Sequence, residues 1–226
     1  MFYWLCWVLV FIPLRLFWPT KFVGKKNLKK EKRAIMACNH SSNMDPVIIN
    51  SRMIPNPYIL GKHTLFKNKV VSAILRSWRI IPVNRENLDI STVKKVMTVL
   101  KGDNKLLIFP QGTRKQDLED MDGVKNGLAM FAIKSKSPIV PMWFVDKPKA
   151  FHRNVLLIGE PFYLEGFEGK RLTQDVLNEA SEIVTKKMFE LRDEYEQKLL
   201  AKRQAKLDKK QAKIDKRNAK KQSKFK

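Results

Sequence analysis

Cysteine is nearly absent from this chain, with Cys6 and Cys38 the whole supply in 226 residues. Two cysteines in such different settings, one in an apolar segment and one ending an apolar run, give no basis for a disulfide scaffold and fit a reducing, cytosolic surrounding. Burial of Cys38 would also keep its thiol protonated, so neither cysteine reads as a nucleophile. Histidine is as scarce, at three residues, and no Cys/His cluster has metal-ligand spacing, so no metal site is expected. His63 and His152 stand alone and read as surface or capping residues. Neither a Walker loop nor a Rossmann glycine fingerprint occurs. No internal repeat and no Gly/Ser-rich linker divides the chain, so one folded domain is expected. Acidic residues are outnumbered, 22 against 45 Lys and Arg, for a formal net charge of +23.

That charge is concentrated at two places. The first eighteen residues are apolar apart from Arg15 and rich in aromatics, including Trp4, Trp7 and Trp18. A full span needs about 20 apolar residues, and Pro13 and Arg15 interrupt this one, so a helix lying in or entering obliquely the membrane surface is expected. It lacks the basic start and small-residue end of a secretory leader. A basic run follows, Lys21, Lys25, Lys26, Lys29, Lys30, Lys32 and Arg33, suited to anionic headgroups and placing the body on the cytoplasmic face. The second concentration spans 198–226, where thirteen Lys or Arg face Asp208 and Asp215. The expected division is a membrane-anchoring segment at 1–19, a catalytic domain at 20–197 and a basic tail at 198–226. A helix is expected from Thr173, with a stripe of Val176, Ala180, Val184, Met188, Leu191, Tyr195 and Leu199, fraying into a mobile arm that suits acidic lipid, an acidic carrier protein or nucleic acid without sequence preference.

Between these ends, apolar runs at Ala34–Cys38, Tyr58–Leu60, Ile80–Val83, Leu106–Phe109, Ile139–Val145 and Val155–Gly159 read as strands alternating with helical segments. The fold class is therefore α/β: a single domain with a central, mostly parallel or mixed sheet flanked by helices. Leu65, Phe66, Val70 and Ile74 form one helical stripe; Ile90, Val93, Met97 and Leu100 form another that ends at Gly102. Both stripes read as core faces.

Two short segments roughly seventy residues apart carry the chemistry. The first, Asn39-His40-Ser41-Ser42-Asn43-Met44-Asp45, leaves the strand that ends at Cys38. Asp45 precedes Pro46, a pairing that reads as a helix N-cap followed by a first-turn proline. His40 and Asp45 are then near enough for the carboxylate to hold one ring nitrogen while the other faces a substrate, which is the arrangement of an oriented general base. A capping or hydrogen-bonding histidine is the plainer alternative. The second segment, Phe109-Pro110-Gln111-Gly112-Thr113-Arg114, is a tight turn at the end of another buried strand. Gly112 permits close backbone approach, Thr113 can donate or cap, and Arg114 offers a planar fork for phosphate or carboxylate. Ligands of open α/β sheets bind at such strand ends. The plainer alternative is an ordinary strand-to-loop turn.

Taken together, His40 and Asp45 resemble the His-x4-Asp motif, and Phe109 to Arg114 resembles the Phe-Pro-Glu-Gly-Thr-Arg motif, of glycerolipid acyltransferases of the 1-acylglycerol-3-phosphate type. Ile81-Pro82-Val83-Asn84-Arg85 is similar to a second block ending in a substrate-binding Arg, and Ile139-Val140-Pro141-Met142 to a fourth. The resemblance covers about residues 20 to 165, in order and spacing. It implies direct acyl transfer from a thioester to the free hydroxyl of a lysophospholipid, with His40 as base, Asp45 as its partner, and Arg85, Gln111, Gly112, Thr113 and Arg114 binding substrate. Asn39 and Ser41 are candidates to support the oxyanion. The implied partners are lysophosphatidate, a phospholipid membrane with anionic headgroups, and acyl-CoA or acyl carrier protein, whose thioester is a co-substrate; no further cofactor and no specific nucleic acid is expected. One departure stands out: the family has Glu where this chain has Gln111, which keeps size and an amide oxygen but loses charge. A different lysophospholipid or glycerol phosphate acceptor, and a membrane-tethered basic polyanion-binding protein, stand as the alternatives.

Overall fold

The computed structural model describes residues 12–84, 89–111 and 126–222. Its contacts divide the chain into two units, Met1–Leu191 and Arg192–Lys226. The first holds a seven-stranded mixed sheet flanked by helices. The strands are β1 (Thr20–Val23), β2 (Ala34–Cys38), β3 (Tyr58–Lys62), β4 (Ile80–Val83), β5 (Lys105–Ile108), β6 (Ile139–Phe144) and β7 (Asn154–Ile158), in spatial order β1-β7-β6-β2-β5-β3-β4. All neighbours are parallel except β6 and β7. Every residue of β2 and of β6 is buried, as expected of central parallel strands covered on both faces.

The observed strands agree with the apolar runs to within a residue or two, with β1 as an addition. Thr-Lys-Phe-Val is only four residues long, half exposed, and embedded in the basic run, so it carries no strand signature of its own. It exists because β7 offers it a parallel edge. The turn after β1 depends on Gly24, whose φ of 81° is left-handed and whose missing Cβ leaves room for the carbonyl oxygen of Ile158. Asn27 then donates to that same oxygen at 3.0 Å, joining the turn to β7.

The helices are α1 (Ile12–Phe17), α2 (Met44–Ser51), α3 (Lys69–Ser77), α4 (Ile90–Lys101), α5 (Gly127–Ser135) and α6 (Gln174–Gln222), with 3-10 turns at Lys25–Lys29 and His63–Phe66. Four expectations about them need correction. Asp45 is not the N-cap of α2: the helix begins at Met44, and the carboxylate turns back to the preceding loop. In α4 the buried face is Thr92, Val96, Val99 and Leu100, while Ile90 lies 75% exposed. Two apolar stripes overlap in that helix, and packing against α5 and β5 selects the other one. In α3 no residue is buried at all, and Val70 is 69% exposed; the apolar stripe is real, but it is not a core face. Finally, α6 starts within one residue of the expected Thr173 but continues as helix to Gln222.

Within the first unit α6 packs through Ala180, Val184 and Met188, all fully buried at i, i+4 spacing. Phe189 meets Trp143 with ring centroids 5.9 Å apart. In the second unit the helix is exposed on every side over residues 196–215, with Leu199, Leu200, Leu207 and Ile214 uncovered. Its support is local: Gln204 and Gln211 donate to Asp208 and Asp215 one turn on.

Of the apolar N-terminal segment only α1 and the residues after it are described. Leu14 is buried and the Arg15 guanidinium donates to the carbonyl of Ser51 (Nε at 3.0 Å), while Ile12, Leu16 and Phe17 are exposed. Among the described residues no helix is long and apolar enough to cross a membrane.

Candidate active site

β2 and β5 are adjacent and parallel, with Ala37 opposite Ile108. Their carboxyl ends therefore open at the same edge, and the two segments that follow them meet there. The union is a hydrogen bond: the backbone N–H of His40 donates to Gln111 Oε1 at 2.8 Å, across 71 residues of sequence. Both residues are buried.

Asp45 organises the loop between strand and helix. Its Oδ2 lies 2.9 Å from His40 Nδ1 and accepts the backbone N–H groups of Ser41 and Ser42 at 2.7 Å each. The side chain is fully buried. With two backbone N–H groups already donating to it, Oδ2 is placed as an acceptor, an arrangement that suits the imidazole tautomer with Nδ1 as donor. Nε2 is then the ring nitrogen left to take a proton from outside. Behind the ring, Phe109 stacks on His40 with centroids 4.2 Å apart and planes 28° from parallel. This contact restricts the imidazole to a plane, and it went unforeseen because stacking depends on β2 and β5 being neighbours.

Asn39 has another occupation than the oxyanion support expected of it. Its Nδ2 donates to the carbonyl of Phe144 at 3.0 Å, and its Oδ1 accepts the Phe144 N–H at 2.7 Å. The side-chain amide thereby extends the β2–β6 pairing past its last backbone partners, Cys38 and Met142, and anchors the His40 loop to β6. Ser41 contributes its N–H to Asp45, while its hydroxyl is buried with no hydrogen-bond partner among the described residues. Of the remaining substrate-binding candidates, Arg85, Gly112, Thr113 and Arg114 lie outside the described residues.

Cys38, two residues before the histidine, is fully buried. Burial pushes its thiol well above its ordinary value, and the charge of Asp45 adds to the effect. The thiol is a filler of the core. Among the described residues no three His, Cys, Asp or Glu side chains gather closely enough to hold a metal ion.

The site thus presents a carboxylate-held imidazole at a strand-end edge, suited to removing a proton from a substrate hydroxyl. Comparisons with known proteins point the same way. The sequence model of the Acyltransferase family matches residues 19–145. The 1-acyl-sn-glycerol-3-phosphate acyltransferase of Bacillus subtilis is 28% identical over 183 residues, covering 78% of this chain and 90% of that protein. The enzyme of the same name from Borreliella burgdorferi is 28% identical over 135 residues, which span 59% of this chain and 54% of that one. In fold, the chain is similar to the crystal structure of the 1-acyl-sn-glycerophosphate acyltransferase PlsC from Thermotoga maritima, with a TM-score of 0.56, 22% identity, and coverage of 76% of this chain and 72% of that one. The chain therefore belongs to the acyltransferase family.

Proposed function

We propose that the protein transfers an acyl group from an acyl thioester to the free sn-2 hydroxyl of 1-acylglycerol-3-phosphate, giving phosphatidic acid for phospholipid synthesis. The observation that carries this reading is the buried His40 Nδ1 to Asp45 Oδ2 contact of 2.9 Å at the sheet edge, in a chain whose family and named relatives perform this class of transfer. In this reading His40 Nε2 accepts the proton of the acceptor hydroxyl as its oxygen attacks the thioester carbonyl. The C–O bond forms, the carbonyl oxygen carries the negative charge of the tetrahedral intermediate, and the C–S bond then breaks. His40 returns the proton to the departing thiolate, so no covalent enzyme intermediate is required. Asp45 keeps the ring in the tautomer that allows this and stabilises the imidazolium that forms.

Arg85 and Arg114 are assigned to the acceptor phosphate, with Gly112 and Thr113 closing around it; this assignment rests on the motif resemblance and on the suitability of a guanidinium fork for phosphate. Gln111 serves as the tie between the motifs, a task for a side-chain oxygen that needs no charge. The substrates are amphiphiles, so the exposed Leu16 and Phe17 of α1 and the basic run after it fit attachment to the cytoplasmic face of an anionic membrane. The basic segment from Lys198 onward fits an accessory hold on the same acidic surface or on an acidic carrier protein.

The test is acyl transfer by the detergent-purified full chain, with labelled acyl-CoA or acyl carrier protein thioester as donor and lysophosphatidate as acceptor. Labelled phosphatidic acid from either donor supports the reading and identifies the donor. A folded protein that makes no phosphatidic acid from either donor overturns it.

A further inference from the structure

The apolar residues of α3 are covered only in part: Ile74 and Leu75 are half-buried, while Val70 and Val71 face outward. No residue of α3 is buried; Val70 and Val71 are 69% and 43% exposed, and Leu65, in the turn before the helix, is 54% exposed. Asn68 caps the helix by accepting the N–H groups of Val70 and Val71, so these two valines stand in its first turn. Lys62, Lys67, Lys69 and Arg76 neighbour them in sequence, all exposed, and the sequence from Tyr58 to Asn84 contains neither Asp nor Glu.

Topology locates this face. β3 and β4 run parallel to β5, so the His63–Phe66 turn leaves the sheet at the same edge as His40 and Gln111, on the β3–β4 side. At the opposite end of that edge, β7 starts where the antiparallel β6 finishes, with Leu156 opposite Phe144, and β1 runs alongside β7. There Phe17 of α1 and Phe151 meet at 5.2 Å and are both exposed. Exposed apolar side chains therefore flank the His40–Asp45 edge on both sides, and on the α3 side the segment that carries them, from Tyr58 to Asn84, has basic residues and no acidic ones.

We propose that Leu65, Val70 and Val71, with the lysines around them, form a second bilayer-docking face that seats the catalytic edge on an anionic membrane together with α1. This rests on the reading that the acceptor is a membrane lipid. An apolar stripe ringed by Lys and Arg is the chemistry of an interfacial helix, inserted shallowly while its cations meet acidic headgroups. Two contacts on either side of the site hold its opening towards the lipid plane, whereas one would leave it free to pivot.

The experiment compares the full chain with its Val70→Gln/Val71→Gln variant in sedimentation with phosphatidylcholine vesicles, with and without phosphatidylglycerol. Both positions are exposed and outside the site, so transfer to a short-chain, water-soluble lysophosphatidate is expected to be unchanged. Binding to the anionic vesicles is expected to weaken by roughly tenfold or more. As a second readout, a nitroxide at Val70→Cys in a Cys6→Ser background is expected to become more accessible to oxygen than to a water-soluble nickel complex on vesicle binding. Unchanged vesicle affinity of the variant, or a nitroxide that stays in water while the protein is bound, overturns the docking face. A change of oligomeric mass with vesicle binding unaltered also overturns it, and assigns the face to a second copy. Neither readout needs turnover, so an α3-dependent interaction without acyl transfer counts against the proposed reaction alone.

Discussion

Gln111 Oε1 accepts the backbone N–H of His40 at 2.8 Å, and this one bond makes a single site of two turns that the chain keeps far apart. The tie sets the height of the imidazole relative to the turn that follows β5. It also explains why an uncharged amide serves here, since the partner is a neutral N–H. Gln111→Leu leaves that buried N–H without an acceptor, at a cost of about 1–3 kcal/mol. The expected result is a lower melting temperature together with a fall in kcat of roughly ten- to a hundredfold from displacement of the base, read by calorimetry and by phosphatidate formation.

Asp45 accepts from three donors through one oxygen. Asp45→Asn keeps the shape but turns the imidazole tautomer against its task, and kcat is expected to fall by about 10⁴-fold, as for the equivalent change in serine-protease triads. KM for the acceptor is expected to stay within a few fold, because the residue is fully buried and touches the base rather than the substrate. Steady-state kinetics at saturating acceptor separate the two effects.

Asn39 holds both backbone groups of Phe144. Asn39→Ala strands those groups in the interior and is expected to lower stability by about 2–3 kcal/mol, or roughly 5–10 °C in Tm for a domain of this size. A variant that melts like the parent but turns over far more slowly would return Asn39 to the oxyanion role.

Burial raises the Cys38 thiol well above its ordinary value of 9.0. In a Cys6→Ser background, a maleimide at pH 8 is expected to leave the native protein unlabelled and to label it fully in guanidinium. The unfolded chain loses the thiol proton near pH 9 while the folded chain retains it, so this group's contribution to stability is intact below that pH and declines as pH rises past it. Denaturant titrations between pH 7 and 10 measure the decline.

Much of this architecture was readable because the central strands are buried on both faces. Ala34–Cys38 and Ile139–Phe144 show no polar interruption, and their β-branched residues and short length between turns favour a buried strand over a helix. His40 and Asp45 were readable for a related reason: five residues apart, they sit at the two ends of one strand-to-helix connection, the second in the first turn of α2. What stayed hidden required knowledge of neighbours. β1 becomes a strand only beside β7, Asn39 becomes a lock only beside β6, and Phe109 becomes a backing for the imidazole only because β5 lies next to β2. The stripe on α3 was visible as a period but not as a surface, since periodicity shows that one face is apolar without showing what covers it.

The most direct test of His40 as the base is His40→Ala in the full chain, assayed for phosphatidic acid formation alongside its melting temperature. The expected result is a protein as stable as the parent to within a few degrees, with transfer reduced by at least about a thousandfold. A folded His40→Ala variant that retains a substantial fraction of parental turnover would contradict it, for the proton would then leave the acceptor hydroxyl by some other route.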